Sequence, residues 1–248
     1  MIEINFLGTN GWFATNFGNT NCILIEIDKC YIILDAGDGI YKLNSYINKN
    51  KPIHLFLSHL HLDHIGGLHI LNKFRFNQKL DIFGYVGIKE GLNAIIRHPY
   101  TASFNELPYK IEIHELSEGK SEFPFNFTCN LLKHTDPCLG YRFSLEDKII
   151  TYCTDTGICN NLYELAKDAD LFISECSYQS GQIDLSWPHL NPEQAANIAK
   201  KSKAKKLILT HFDANIYKNL RSRKNSERKA KKIFKSSMVA YDGLNFTI

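Results

Sequence analysis

The sequence predicts an α/β fold in which stacked β-sheets are flanked by helices. Two observations predict it: short β-branched strands fall into two groups, one in each half of the chain, and helical stretches are interleaved with both. A third is the run IHLFLS at 53–58, near-continuously apolar as in a strand buried on both faces.

The first group comprises IEINFLG, NCILIEI and CYIILDAG, each short and bounded by Gly, Asn or Asp. Asp28-Lys29 suits a tight hairpin between the second and third. The second group comprises FNFTCNLL, LGYRFSL, KIITYCTD, ADLFISE and KKLILTHF, and LNFTI closes the chain. Helices are expected over 38–48, 65–73, 86–97, 160–168, 192–202 and 222–235. The stretch 192–202 is best signalled: Asn191 caps it, Pro192 suits its first position, and Gln194 completes a capping box.

Composition bounds the rest. With 248 residues, 44% hydrophobic and 22% charged, the chain can build a sizeable core. No repeat, low-complexity tract or linker divides it, so 1–248 reads as one domain. No apolar run approaches the ~18–20 residues of a membrane span, so no membrane partner is expected. The N-terminus lacks the basic and apolar regions of a signal peptide. Seven cysteines with no C-x-x-C pair read as reduced thiols of a cytoplasmic protein. The net charge of +3 divides unevenly: residues 200–235 hold fourteen Lys or Arg against Asp213 and Glu227, a balance of +12, leaving −9 elsewhere.

The informative motif is His59-Leu60-His61-Leu62-Asp63-His64, directly after IHLFLS and before a Gly-Gly pair. Three imidazoles and a carboxylate within six residues at a strand end can converge on one point, and these donors suit zinc with positions left open for water. The phrase FLSHLHLDHIGGL resembles the signature of the metallo-β-lactamase-fold superfamily, and further elements follow in that superfamily's order. His134 comes after FNFTCNLLK, Asp155 lies in YCTDTG, and His211 lies in KKLILTHF. The resemblance runs almost end to end. It implies an αββα sandwich of two mixed β-sheets flanked by helices.

It also implies a site. His59, His61 and His134 would bind one metal, Asp63, His64 and His211 a second, and Asp155 would bridge them with a hydroxide. Two zinc ions are implied, with manganese the alternative. Taken singly, His134, Asp155 and His211 read as ordinary strand-end or turn residues; their ordered combination makes them ligands. A dinuclear site makes hydrolysis the natural chemistry.

The segment HLNPEQAANIAKKSKAKKLILTH at 189–211 resembles the ribonuclease Z branch and its phosphodiesterase relatives. There a His before a capped helix protonates the leaving oxygen, and His189 matches by position; the structural reading is that it packs beside Trp187 and Pro188. Glu175 matches an acid that orients an imidazole, or else ends its strand in solvent. Asp63 completes the expected catalytic set. Asp35 resembles the superfamily's strand-end Asp, supporting the metal loop or shaping its own turn. His54, His69, His98 and His114 read as structural.

Two departures weigh on the substrate. Leu62 stands where ribonuclease Z enzymes carry Gly. His134 and Asp155 are only twenty-one residues apart, which leaves room for one hairpin but not for the arm that grips transfer RNA. The expectation is therefore an armless phosphodiesterase acting on cyclic nucleotides or other phosphodiesters. The alternatives are a lactone or thioester hydrolase using the same site, ribonuclease Z-type RNA processing, and a nucleic-acid-binding module with structural metals. The basic segment 218–235 reads equally as a solvated helix face docked through Ala230, Ile233 and Phe234, or as a nucleic-acid contact, with no aromatics at 218–232 to stack bases. The resemblance also implies a homodimer, for which no interface motif is legible.

Overall fold

The computed structural model describes residues 1–248 as two compact units. One comprises Met1–Thr9, Gly18–Leu116 and Asp242–Ile248; the other comprises Asn10–Phe17 and Ser117–Tyr241. Each is assembled from separated stretches, so neither is a contiguous half of the sequence.

The first unit is built on a seven-stranded sheet. Its order is Asn245–Thr247, Glu3–Gly8, Cys22–Glu26, Tyr31–Leu34, Ile53–Phe56, Leu80–Tyr85 and Ile111–Leu116. The first three pairings are antiparallel and the last three parallel. Helical segments at Asp38–Ser45, Gly66–Lys73 and Ile88–Ile95 cover one face, packing Ile40, Leu43, Leu68, Leu71 and Leu92 on Leu24, Ile33, Leu55 and Ile82. Residues of the other face, such as Ile4, Ile23, Ile25 and Ile32, are buried as well. Burial on both faces is why these strands read as apolar runs rather than alternations.

The second unit repeats the plan. Its sheet runs Ser237–Val239, Leu207–Thr210, Leu171–Glu175, Lys148–Cys153, Leu139–Leu145, Phe127–Leu131 and Gly119–Ser121. Here too three parallel pairings meet three antiparallel ones. Helices Asn160–Ala166, Pro192–Lys201 and Leu220–Lys231 supply Leu162, Leu165, Ala195, Ile198, Ala199 and Ala230 to the core on one face. The helix Pro192–Lys201 starts as its sequence dictates: Asn191 accepts from the Gln194 N–H, and Gln194 accepts from the Asn191 N–H.

The two groups of strands and the interleaved helices thus form as expected, and two stretches differ in kind. Residues 38–48 and 65–73 wind as 3-10 segments, Asp38–Ser45 and Gly66–Lys73. Strands at Leu80–Tyr85, Ile111–Leu116, Gly119–Ser121 and Ser237–Val239 lie outside the expected set. The first is broken as a pattern by Asp81 and Gly84. The second carries Glu112, His114 and Glu115 because it is the edge strand of its sheet. All seven cysteines are free, and six are buried. No helix is long and apolar enough to cross a membrane.

Candidate metal centre

In the first unit the parallel strand Ile53–Phe56 delivers His59 just past its C-terminal end, and the helical turn Leu62–Ile65 presents Asp63 and His64. Carboxyl ends of parallel strands are where such folds leave room for a ligand. The rings of His59 and His61 lie 4.5 Å apart, those of His59 and His64 4.3 Å, and His64 Nε2 is 3.4 Å from Asp63 Oδ2. Gly67 allows this turn to seat. A side chain there would meet the Gly37 carbonyl at 2.4 Å.

Asp35 organises these rings. It is fully buried, and it accepts from the Ser58 backbone N–H at 2.7 Å, from Ser58 Oγ at 2.9 Å and from His64 Nδ1 at 2.7 Å. Ser58 has one hydroxyl proton and gives it to Asp35, so its oxygen accepts from His59 Nδ1 at 2.9 Å. Both imidazoles are thereby fixed as Nδ1–H tautomers, with the Nε2 lone pair available to a metal. Asp35 also has φ 57°, so it both shapes its turn and supports the motif.

In the second unit His134 follows Phe127–Leu131, Asp155 follows Lys148–Cys153, and His211 follows Leu207–Thr210. His211 Nε2 lies 3.3 Å from Asp155 Oδ2. Ser177 Oγ donates to the His211 carbonyl at 2.9 Å, so it accepts from His211 Nδ1 at 3.0 Å and fixes the same tautomer. Asp155 and His211, both almost fully buried, hold φ of 48° and 50°. Asp and His tolerate this left-handed region better than most residues. Each still stores strain of about 1–3 kcal/mol, as functional positions often do.

Glu175 does not end its strand in solvent. It is fully buried, accepts from the Thr156 and Ser177 backbone N–H groups, and accepts a hydrogen bond from His189 Nδ1 at 2.9 Å. His189 Nδ1 is also 4.0 Å from Asp155 Oδ1, and its ring lies 5.9 Å from that of His134 and 6.1 Å from that of His211. Beyond packing near Trp187, His189 therefore stands among the expected ligands of this unit, aimed by a buried carboxylate.

The structure adds residues that no motif announced. Ser58 and Ser177 are ordinary serines in sequence; only Ser58's place beside His59 hinted at its part. Gly11 packs so closely on the His211 ring that a Cβ there would lie 2.5 Å from it. The basic helix Leu220–Lys231 divides its charges. Arg221, Lys224, Arg228, Lys229 and Lys231 are exposed, whereas Arg223 is fully buried between the rings of Phe17 and Phe212 and donates to Asn10 and the Ala240 carbonyl. Ala230, Ile233 and Phe234 dock this helix as the apolar stripe suggested.

The donor chemistry fits a divalent metal. Imidazoles with Nδ1 already engaged leave Nε2 as ligand, and the carboxylates beside them offset the metal's charge. The chain's His and carboxylate donors fall into groups whose ligand atoms lie within 4.8 Å of one another, and all seven expected ligands belong to such groups. The other histidines have structural partners: His54 and His114 face Asp81, His69 donates to the Gly66 carbonyl, and His98 meets Glu106.

Comparison with known proteins shows the family and the fold. Residues 31–212 match the family described as the beta-lactamase superfamily domain. A ribonuclease Z of Clostridium botulinum is 30% identical over 321 aligned positions, covering all of this chain and 99% of the relative. Since this chain has 248 residues, at least 73 of those positions have no counterpart in it. The metallo-beta-lactamase fold protein YhfI of Bacillus subtilis superposes with a TM-score of 0.79 at 24% identity over the whole of both chains. The short form of human tRNase Z gives 0.77 at 21% identity over 99% of each chain. These superpositions show the fold: two mixed sheets with their helices.

Proposed function

As the chain belongs to the beta-lactamase superfamily of metal-dependent hydrolases, in its ribonuclease Z-like branch, we propose that it is a dinuclear-metal phosphodiesterase of the ribonuclease Z type. The observation that carries this reading is the Glu175–His189 pair, a buried carboxylate holding an imidazole at 2.9 Å within 4.0 Å of Asp155. Phosphodiester cleavage expels an alkoxide that needs a proton, and a positioned imidazole supplies it. Thioester hydrolysis expels a thiolate and makes a lesser demand on such an acid; a lactone expels an alkoxide as well, and there it is the ribonuclease Z relatives that favour phosphorus.

In this reading His59, His61 and His134 would hold one ion, Asp63, His64 and His211 the other, and Asp155 would serve both. Two bound divalent ions, zinc or manganese, would acidify a water and clamp the oxygens of an in-line displacement. Asp35, Ser58 and Ser177 keep the ligand rings in their tautomers. His189 gives its Nε2 proton to the leaving oxygen, while Glu175 keeps Nδ1 protonated and stabilises the imidazolium.

RNA is the substrate class that the relatives favour, ahead of cyclic nucleotides, which the sequence alone placed first. The absence of at least 73 aligned positions, and the single hairpin Leu139–Leu145 to Lys148–Cys153 between His134 and Asp155, point to short or single-stranded RNA ends rather than a folded RNA gripped by an arm. Seven free cysteines suit a reducing cytoplasm.

The test is turnover by zinc- or manganese-loaded protein of RNA with a 3′ extension, cyclic nucleotides, bis(p-nitrophenyl) phosphate and a lactone panel. RNA cleavage exceeding the others supports the proposal. Fast lactone hydrolysis without diester cleavage overturns it, and cyclic-nucleotide turnover alone moves the substrate back to the small diesters.

A further inference from the structure

The chain has only two tryptophans, Trp12 and Trp187. Both are exposed, at 67% and 48%. Trp187 flanks histidines of the candidate centre in the second unit, and Trp12 adjoins in sequence a residue that touches another. Trp187 lies 6.0 Å from the His134 ring and 6.4 Å from the His189 ring. Trp12 directly follows Gly11, the residue packed against the His211 ring.

Neither tryptophan is on a floppy segment. Asn10 and Gly11 pair with Phe212 and Asp213 as a short parallel ladder. The Asn10 amide donates to the Phe13 carbonyl and to Thr15 Oγ1, while Arg223, fully buried, holds the Asn10 carbonyl oxygen of its side chain. This bracing keeps Trp12 at φ 73°, a conformation rarely adopted by a bulky side chain. Trp187 is tied down by its own N–H to Asp184 and by its carbonyl, which accepts from Tyr178.

We propose that Trp12 and Trp187 are stacking platforms for unpaired nucleobases flanking the scissile phosphate. This deepens the ribonuclease Z-type reading and rests on it. A nucleobase is the occupant that the surroundings fit. The helix that braces the Trp12 loop through Arg223 turns Arg221, Arg228 and Lys229 to solvent, while Lys224 and Lys231 pair with Glu227; the exposed cations suit a phosphate backbone. Stacking surfaces with such cations are how proteins hold single-stranded nucleic acid without reading its sequence. Residues 218–232 of the basic segment carry no aromatics; the fold supplies them from two loops distant in sequence. They also give a grip that needs no arm.

The test uses the metal-loaded full chain, short single-stranded RNA oligonucleotides, and abasic strands of equal length and charge. The readout is tryptophan fluorescence, with Trp187→Phe isolating the signal of Trp12 and Trp12→Phe that of Trp187. The expected result is quenching of both by base-bearing strands, affinity roughly tenfold weaker in Trp12→Ala and in Trp187→Ala, and near-full affinity in the Phe variants. Equal affinity for abasic and base-bearing strands overturns the proposal, as does unchanged binding by the Ala variants or no binding by the parent chain. Base-dependent quenching without RNA cleavage would sink the catalytic reading and leave the stacking platforms standing; cleavage without quenching would do the reverse.

Discussion

Ser177 accepts the Nδ1 proton of His211 at 3.0 Å because its own proton is committed to the His211 carbonyl at 2.9 Å. One hydroxyl thus fixes both the backbone position and the tautomer of a single imidazole. Such outer hydrogen bonds are typically worth 10–100-fold in metal affinity. Ser177→Ala should therefore weaken metal binding by roughly 10–100-fold, read by competition with a chromogenic chelator, with the fold retained by circular dichroism. Affinity equal to the parent's would remove His211 from the ligand set or Ser177 from its support.

His189→Ala should lower turnover of a phosphodiester by roughly 10²–10⁴-fold, the range for a general acid. Its bound metal, measured by atomic absorption, should stay unchanged. Glu175→Gln should give a smaller loss, since the amide can still hold the ring but cannot stabilise its charged form. Loss of metal in His189→Ala would make it a ligand rather than an acid.

Arg223→Ala empties a buried space between Phe17 and Phe212 and strands the Asn10 side chain. Large-to-small changes at such sites cost about 2–5 kcal/mol. A lower urea midpoint is expected, together with faster proteolysis within residues 10–17. Arg221→Ala, on the exposed side of the same helix, should leave the midpoint nearly unchanged; an equal loss in both variants would contradict the division of the helix into a bracing face and a solvated face.

Burial holds the His54 imidazole down at about 4, from an ordinary 6.5, against the pull of Asp81 3.5 Å away. Between those values the unfolded chain binds a proton that the folded chain refuses, so stability falls as pH falls through this window. Acidification from about pH 7 to about pH 5 should therefore lower the urea midpoint more in the parent than in His54→Asn. Parallel curves for the two proteins would show that His54 titrates normally.

Much of the centre is legible in the sequence because ligand chemistry is local. Three histidines and an aspartate within six residues need only a strand end to present them, and IHLFLS is unmistakably a strand. The capped helix Pro192–Lys201 is legible for the same reason, its start being written in four consecutive residues. Edge and interrupted strands such as Ile111–Leu116 and Leu80–Tyr85 are less so, because charges and a glycine break the pattern that burial would otherwise impose.

What the sequence by itself determined is the class: an α/β chain of the beta-lactamase superfamily, a hydrolase, with candidate ligands in that superfamily's order. The tertiary structure decided how those ligands are held and flanked. Ser177 meets His211 across 34 residues and Asp35 meets His64 across 29. No periodicity encodes such pairings, since a hydroxyl or carboxylate acquires its partner only when strands from distant stretches are laid side by side. The same holds for Arg223, which composition counts as one more surface cation and the core enlists to brace Asn10. Charge is a property of the residue; what the charge does depends on the dielectric and the partners that folding places around it.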